Sequence, residues 1–394
     1  MELSHDLSKA PLLEIVRPAT LAQVIAVGEH CAQEIFRDYR DIRTIAPAGS
    51  YERLPPLLLD DEEATEQTKQ MLAQYSAVLR QGYSERLALS LLGAHVAGQG
   101  AAVTRAGALI AESVIEFTAH GRVPDGLVKV DGDGYGLRQV TRRIDRPCLL
   151  AKRPWYRNYG HFLVDCVTVM AMASSAGLSD GTTIVIGCYE HPAMERVVRR
   201  TIEEFFPGAE VLVHPDNEVW EFDTLWYVAP LHVPPLFKLP DGLRAVRTHL
   251  ISSVNTSFTS TRRLFVSRGN SGNRLLLNEN ELLGLCVKCG FDLVFPERLS
   301  LTEQAALFHD AQIVVGVKGA ALSNAMFMSQ GAALIVLSPA DFPDPFFWDI
   351  CGQLNVAYVE IFGSVTTARG GSANDFRISP EKLRAALSLV GAPL

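Results

Sequence analysis

The first eleven residues, Met1 to Pro11, have neither the basic start nor the apolar stretch of a secretory leader. Nowhere in the 394 residues is there an apolar run of the roughly 18 that a membrane-spanning helix needs. These absences predict a cytoplasmic protein without a membrane span, with peripheral membrane association left open. Cysteine is sparse: Cys31, Cys148, Cys166, Cys188, Cys286, Cys289 and Cys351 are odd in number and scattered, which excludes a disulfide framework and suits a reducing compartment. Cys286 and Cys289 form a C-x-x-C, but both fall inside a predicted helix with no second pair or histidine cluster, so two ordinary helix cysteines are expected and no metal. Basic excess is also lacking. A net charge of -8 gives no general attraction to nucleic acid, and no nucleic-acid partner is expected. What is present, 48% hydrophobic and 20% charged residues, is the composition of a globular chain long enough for two domains.

The most informative stretch runs from Arg262 to Pro339, where short apolar strands alternate with helices. Leu264, Phe265 and Val266 form the first strand. Asn278 and Glu281 have the spacing of a capping box for a helix that stops at Gly290, and Phe291 to Phe295 is the second strand. Ser300 with Glu303 predicts a second capping box opening a helix from Leu301 to His309. Gln312 to Val317 is β-branched and apolar, as a strand covered on both faces should be, and Ala333 to Leu337 follows the helix Leu322 to Met328. This alternation predicts a parallel sheet with right-handed crossovers, whose ligands bind at the carboxyl ends of the strands.

Those ends carry Ser267, Arg268 and Arg274 after the first strand, Glu297 after the second, and Lys318-Gly319-Ala320-Ala321 after the third. Small residues admit a ligand close to the backbone, and a helix N-terminus with cationic side chains suits a diphosphate. Glu297 would accept hydrogen bonds from ribose hydroxyls or a base N–H. A nucleotide-diphosphate site is therefore expected.

Upstream, residues 64 to 80 read as a helix, and residues 101 to 151 as a β meander. Gly132-Asp133-Gly134-Tyr135-Gly136 imitates a dinucleotide loop, but no helix follows, so a hairpin turn is the reading. Tyr156, Asn158, Tyr159 and Gly160 form a polar, aromatic loop feeding a helix that begins near His161. His161 and Asp165, four apart, share one helical face. A histidine oriented by a carboxylate is a candidate general base for a substrate hydroxyl, with a capping or core-satisfying histidine as the alternative. Strands at Thr182 to Gly187, Glu210 to Val213 and Trp220 to Val228, with a helix from Pro192 to Phe206, complete a second α/β unit. Division into an N-terminal domain, 1–250, and a C-terminal domain, 258–394, that carries the nucleotide-diphosphate site is expected, with Asn255-Thr256-Ser257 as linker.

The run Phe265-Val266-Ser267-Arg268, Arg274, Asn278-Glu279, Phe295-Pro296-Glu297, Leu299-Ser300-Leu301, Glu303-Gln304 and Val315 through Asn324 resembles glycosyltransferase family 61, as does Asn158-Tyr159-Gly160-His161-Phe162. The likeness spans roughly residues 105 to 362. It implies an inverting, metal-independent, cofactor-free transferase of GT-B-like fold, with two Rossmann-like domains facing a cleft. The implied partners are a nucleotide sugar, commonly UDP-linked, and a carbohydrate or lipid-linked glycan acceptor in surface polysaccharide synthesis. By the same likeness Asn278, Glu279 and Asn324 join the donor-binding residues, and Tyr156, Asn158 and Tyr159 lie on the acceptor side. The family carries His at the position of Lys318, and Lys keeps a phosphate donor without imidazole's acid–base range. Two rivals share the diphosphate site: a nucleotide-sugar epimerase, which would convert donor without acceptor, and a non-catalytic nucleotide-sugar-binding protein, which would show no turnover.

Overall fold

The computed structural model describes residues 12–29, 38–59, 62–130, 132–252, 261–269 and 272–392. Cys31, the 1–11 segment and the Asn255-Thr256-Ser257 linker lie outside them. The chain forms two compact units, each built from two segments: Met1–Ala48 with Ser84–Val233, and Gly49–Tyr83 with Pro234–Leu394. This differs from the expected division at about residue 250. The strand Leu57–Leu59 pairs in parallel with Ala357–Thr367 of the second unit. Arg53 Nε lies 2.5 Å from Asp349 Oδ1 with both side chains fully buried, and the Tyr51 hydroxyl donates to the same oxygen at 2.9 Å. Removing Arg53 would leave a buried carboxylate undercompensated, so the 49–83 segment is bound to this core by charge as well as by pairing. The helix Pro240–Ser252 also belongs to the second unit, burying Leu243, Val246 and Leu250.

The first unit is organised by an 11-stranded sheet. At one side, Val211–His214, Thr183–Gly187, Arg142–Leu150 and Val219–Val228 run parallel, in that spatial order. In chain order they are strands three, two, one and four, so the winding direction reverses between Arg142–Leu150 and Val219–Val228. The 12-residue strand Arg86–Ala97, not anticipated from sequence, pairs antiparallel with Val219–Val228 and continues into Ala101–Val103 and Ala108–Ile110. The expected meander is thus present but interrupted: the strand Leu12–Ala19 inserts between Ala108–Ile110 and Tyr135–Arg138. Tyr135–Arg138 and Leu127–Lys129 are antiparallel, which is the hairpin read from the glycine-rich turn. Val114 to Phe117, expected as strand, instead runs into a short helix at Ile115–Thr118.

In the second unit the parallel strands Asp292–Val294, Arg262–Val266, Ala311–Val317, Ala333–Pro339 and Ala357–Thr367 lie side by side, closed by antiparallel Asp375–Arg377. Here the chain order is two, one, three, four, five, a doubly wound arrangement whose switch falls between Arg262–Val266 and Ala311–Val317. Phe265, Val315, Ile335 and Val359 from successive strands share one core. The capping box at Ser300 and Glu303 forms as expected, with the helix at Leu301–His309. The one at Asn278 does not: its amide donates to Glu281 Oε2 at 3.0 Å and to the Ile378 carbonyl at 2.8 Å, tying the helix start to the chain after Asp375–Arg377. Ala320–Phe327 is a 3₁₀ helix instead of the expected α-helix.

Candidate active site

Each switch point gathers polar side chains, as ligand sites in wound sheets do. In the first unit, the chain leaving Arg142–Leu150 makes a tight loop in which Trp155 takes a left-handed backbone, φ +60°, and stacks on Phe117 at 5.8 Å. Asn158 then caps the next helix, its Oδ1 accepting from Gly160 N at 2.8 Å. That helix runs α over Tyr159–His161, widens to a π turn over Phe162–Val167 and returns to α at Thr168–Ser175. Such widened turns recur at functional sites, and this one holds Asp165.

Asp165 is almost wholly enclosed and bridges two imidazoles: Oδ2 is 2.9 Å from His161 Nδ1, and Oδ1 is 2.8 Å from His232 Nδ1. Burial would raise its pKa, but the His232 charge and the hydrogen bonds from both rings outweigh that and hold the carboxyl well below the ordinary carboxylate range. His161 is one-quarter exposed, whereas the His232 side chain is buried. Nδ1 of His161 is turned to the carboxylate, and Nε2 is the ring's other proton-exchanging atom. Glu116 adds a fourth donor, and one ligand atom from each of Glu116, His161, Asp165 and His232 lies within 4.8 Å of the others, a set that could also hold a divalent cation. A pocket of ≈ 20 Å³ opens between Asp165, His232 and Glu116.

His232 and Glu116 were missed in the sequence. His232 follows the end of Val219–Val228, so the strand-end rule applied to that strand would have found it, whereas nothing local marks Glu116. Tyr156, expected on the acceptor side, is fully buried, its hydroxyl 3.0 Å from Asp216 Oδ1 and 3.1 Å from the Cys188 carbonyl. A Cβ on Gly187 would fall 2.1 Å from its ring, so the ring's place depends on that glycine. Asn158 is exposed but serves the helix end, and Tyr159 is half-exposed. Beneath Tyr156, the Lys152 ammonium is sealed between Asp216 Oδ1 at 2.6 Å and His214 Nδ1 at 2.9 Å. Desolvation lowers the Lys152 pKa to about 8 against the pull of Asp216.

In the second unit, Arg268 Nη1 and Arg274 Nη1 both donate to the Lys318 carbonyl, at 3.0 and 2.7 Å. Arg274 also lies over the Phe342 ring at 4.4 Å. Burial and then the neighbouring Arg268 charge push the Arg274 pKa down to about 10, with Asp344 opposing. Two desolvated guanidiniums share one neutral acceptor, an arrangement that an anion would relieve. Ser267 is buried at this edge, its Oγ accepting from Gly269 N at 3.0 Å, and Glu297 is exposed just beyond Asp292–Val294.

Other expected donor residues do different work. The Lys318 ammonium points into the core, 2.7 Å from Glu360 Oε1 and 3.0 Å from the Phe342 carbonyl, with both charged side chains buried. It is therefore not turned to a ligand. The space over Gly319 is taken by Arg268, since a Cβ there would lie 2.4 Å from Nη1. Ala320 and Ala321 are half-exposed at the start of the 3₁₀ helix. Asn324 is buried, donating to Gln304 Oε1 at 2.6 Å. Asn278 is occupied by Ile378, and Glu279 opens the helix Glu279–Lys288. Cys286 and Cys289 are free thiols, as are the other described cysteines.

Two wound sheets with polar side chains gathered at their switch points make this an α/β protein. Residues 159–335, spanning parts of both units, match the family model described as Glycosyltransferase 61, and this match supports a glycosyltransferase. No curated protein matches the chain. Among solved structures, it is similar to E. coli heptosyltransferase WaaC with ADP, at 10% identity and a TM-score of 0.32, covering 64% of this chain and 100% of that one. Among the described residues no helix is long and apolar enough to cross a membrane.

Proposed function

We propose that the protein is an inverting, metal-independent, GT-B-type glycosyltransferase that moves a sugar from a nucleoside diphosphate, UDP by family likeness, to a hydroxyl of a carbohydrate acceptor. Surface polysaccharide synthesis in the cytoplasm is the setting the family suggests. The second unit binds the donor: Arg268 and Arg274 take the diphosphate, and Glu297 accepts from the nucleoside. The first unit presents the acceptor.

The observation that carries this reading is the Asp165 carboxylate held between the Nδ1 atoms of His161 and His232. His161 Nε2 removes the proton of the acceptor hydroxyl as its oxygen attacks the anomeric carbon. The bond from that carbon to the diphosphate breaks, and the diphosphate leaves with the electron pair. The proton stays on His161, where Asp165 stabilises the imidazolium, while His232 fixes the carboxylate from the other side. Charge on the leaving group meets the paired guanidiniums, which can act where other enzymes use a cation.

A thermal-shift panel of nucleotide sugars identifies the donor, because a ligand that binds only the folded state raises Tm by mass action. With that donor, turnover in EDTA and inversion of the anomeric centre, read by NMR of the product, are expected. Retention of configuration would refute the single displacement. Activity abolished by chelation and restored by Mn²⁺ would instead make Glu116, His161, Asp165 and His232 a metal centre.

A further inference from the structure

Beside the catalytic pocket of the first unit lies an open chamber of ≈ 420 Å³, within the size range of small-molecule sites. Its walls are mainly apolar: Leu21 and Ile25 of the helix Leu21–Glu29, Leu87 of the long strand, Ile115, and Pro230 and Val233 from the segment carrying His232. Glu112, Ile115 and Pro230 line both this chamber and the small pocket that contains Asp165 and His232. The two spaces therefore adjoin across three shared side chains. Charge at the chamber is sparse and of one bias, Glu85 and Glu112 against Arg86. Glu112 holds the helix start, accepting from Leu21 N at 3.0 Å, and Arg86 donates to Ser84 Oγ at 3.1 Å.

We infer that this chamber binds the apolar aglycone of the acceptor, so that the natural acceptor is a glycoside joined directly to a hydrocarbon group, its sugar turned toward the side of the chamber shared with the Asp165 and His232 pocket while the hydrocarbon lies against Leu21, Ile25 and Ile115. The inference deepens the acceptor-side reading above and rests on it. Apolar walls favour a hydrocarbon by removing its surface from water. The excess of carboxylate disfavours a phosphate at the same place, which separates this acceptor from a lipid diphosphate glycan.

The test is calorimetric titration of the full chain with n-alkyl β-glucosides of increasing chain length, below their micelle concentrations and without donor. Affinity should rise about fourfold per added methylene, the equivalent of about 0.8 kcal/mol per CH₂, until the chamber is filled. Ala22→Phe, which projects a ring into the chamber from an exposed helix position, and Ile25→Gln should each flatten that dependence. Circular dichroism and a two-unit melting profile matching wild type serve as the check that both variants are folded. n-Octyl phosphate should bind more weakly than n-octyl glucoside. Affinity independent of chain length, an unchanged slope in both variants, or octyl phosphate binding as tightly as the glucoside would overturn the inference. So would a change of oligomeric state in Ala22→Phe with the slope intact, which would make the chamber a contact between copies. His161→Ala should keep the chain-length slope, so a wrong base shows in turnover and a wrong chamber shows in the isotherms.

Discussion

The two sheets follow one topological rule and build opposite electrostatics from it. In the first unit the switch between Arg142–Leu150 and Val219–Val228 is centred on an anion, Asp165, clasped by two imidazoles. In the second, the switch between Arg262–Val266 and Ala311–Val317 is centred on a neutral carbonyl clasped by two guanidiniums. Strand order fixes where side chains converge, and residue type fixes what the convergence can do, which on the function proposed above is to move a proton in one case and to hold a departing diphosphate in the other. Family matching spans parts of both, since its segment starts at Tyr159 and ends within Ala333–Pro339.

The strongest way to break this comparison is at the proton-moving end. His161→Ala should lower transfer by about 10² to 10⁴ while UDP affinity and Tm stay near wild type. Steady-state kinetics beside calorimetry decides it, and substantial residual turnover would return His161 to a helix-end role. Next in size is a residue that looks like part of the donor site but is core. Lys318→Met leaves Glu360 buried without its cation and should cost about 3 to 5 kcal/mol of stability, with the folded fraction still binding UDP normally. Adding Glu360→Leu should recover most of the loss in chemical denaturation, and a selective loss of UDP binding in Lys318→Met would restore the ammonium to the donor site.

Arg268→Ala and Arg274→Ala should each weaken UDP binding by about 1.5 to 3 kcal/mol, the scale of a hydrogen bond to a charged group. Unchanged isotherms for both would remove the cationic half of the comparison. A further prediction concerns pH. Lys152 binds its proton less tightly folded, at about 8, than unfolded, at 10.5, so between those values the unfolded chain holds more protons and stability rises with pH. Lys152→Met should lack that rise, and parallel denaturation curves for the two proteins across pH 8 to 10 would show the ammonium is not desolvated as drawn.

Much of this was legible where structure is local. The Ser300–Glu303 box, the helix Leu301–His309 and the β-branched run before Lys318 follow from spacing and side-chain shape, and the structure keeps them. The convergence of Arg268 and Arg274 was legible as strand-end charge, though not their shared acceptor. What escaped depends on distant partners. Glu360 lies 42 residues from Lys318, and His232 lies 67 from Asp165. No pattern along the chain shows that a lysine at a strand end will turn inward to meet a carboxylate, or that one aspartate will serve two histidines. The π turn escaped for another reason: His161 and Asp165 keep the four-residue spacing of an α-helix, so periodicity could not reveal the wider winding around them.

The chain passes between its two units at three places, after Ala48, after Tyr83 and after Val233. Exchange of the C-terminal half between relatives by a single crossover would here sever the unit being exchanged. A transplant beginning at Pro234 would leave behind the strand Leu57–Leu59, and would set Asp349 beside whatever the recipient supplies in place of Arg53. Recombination that respects this architecture must move residues 49–83 together with the C-terminal segment, so substitutions in that early stretch travel with the core of the second unit and not with the sequence that surrounds them.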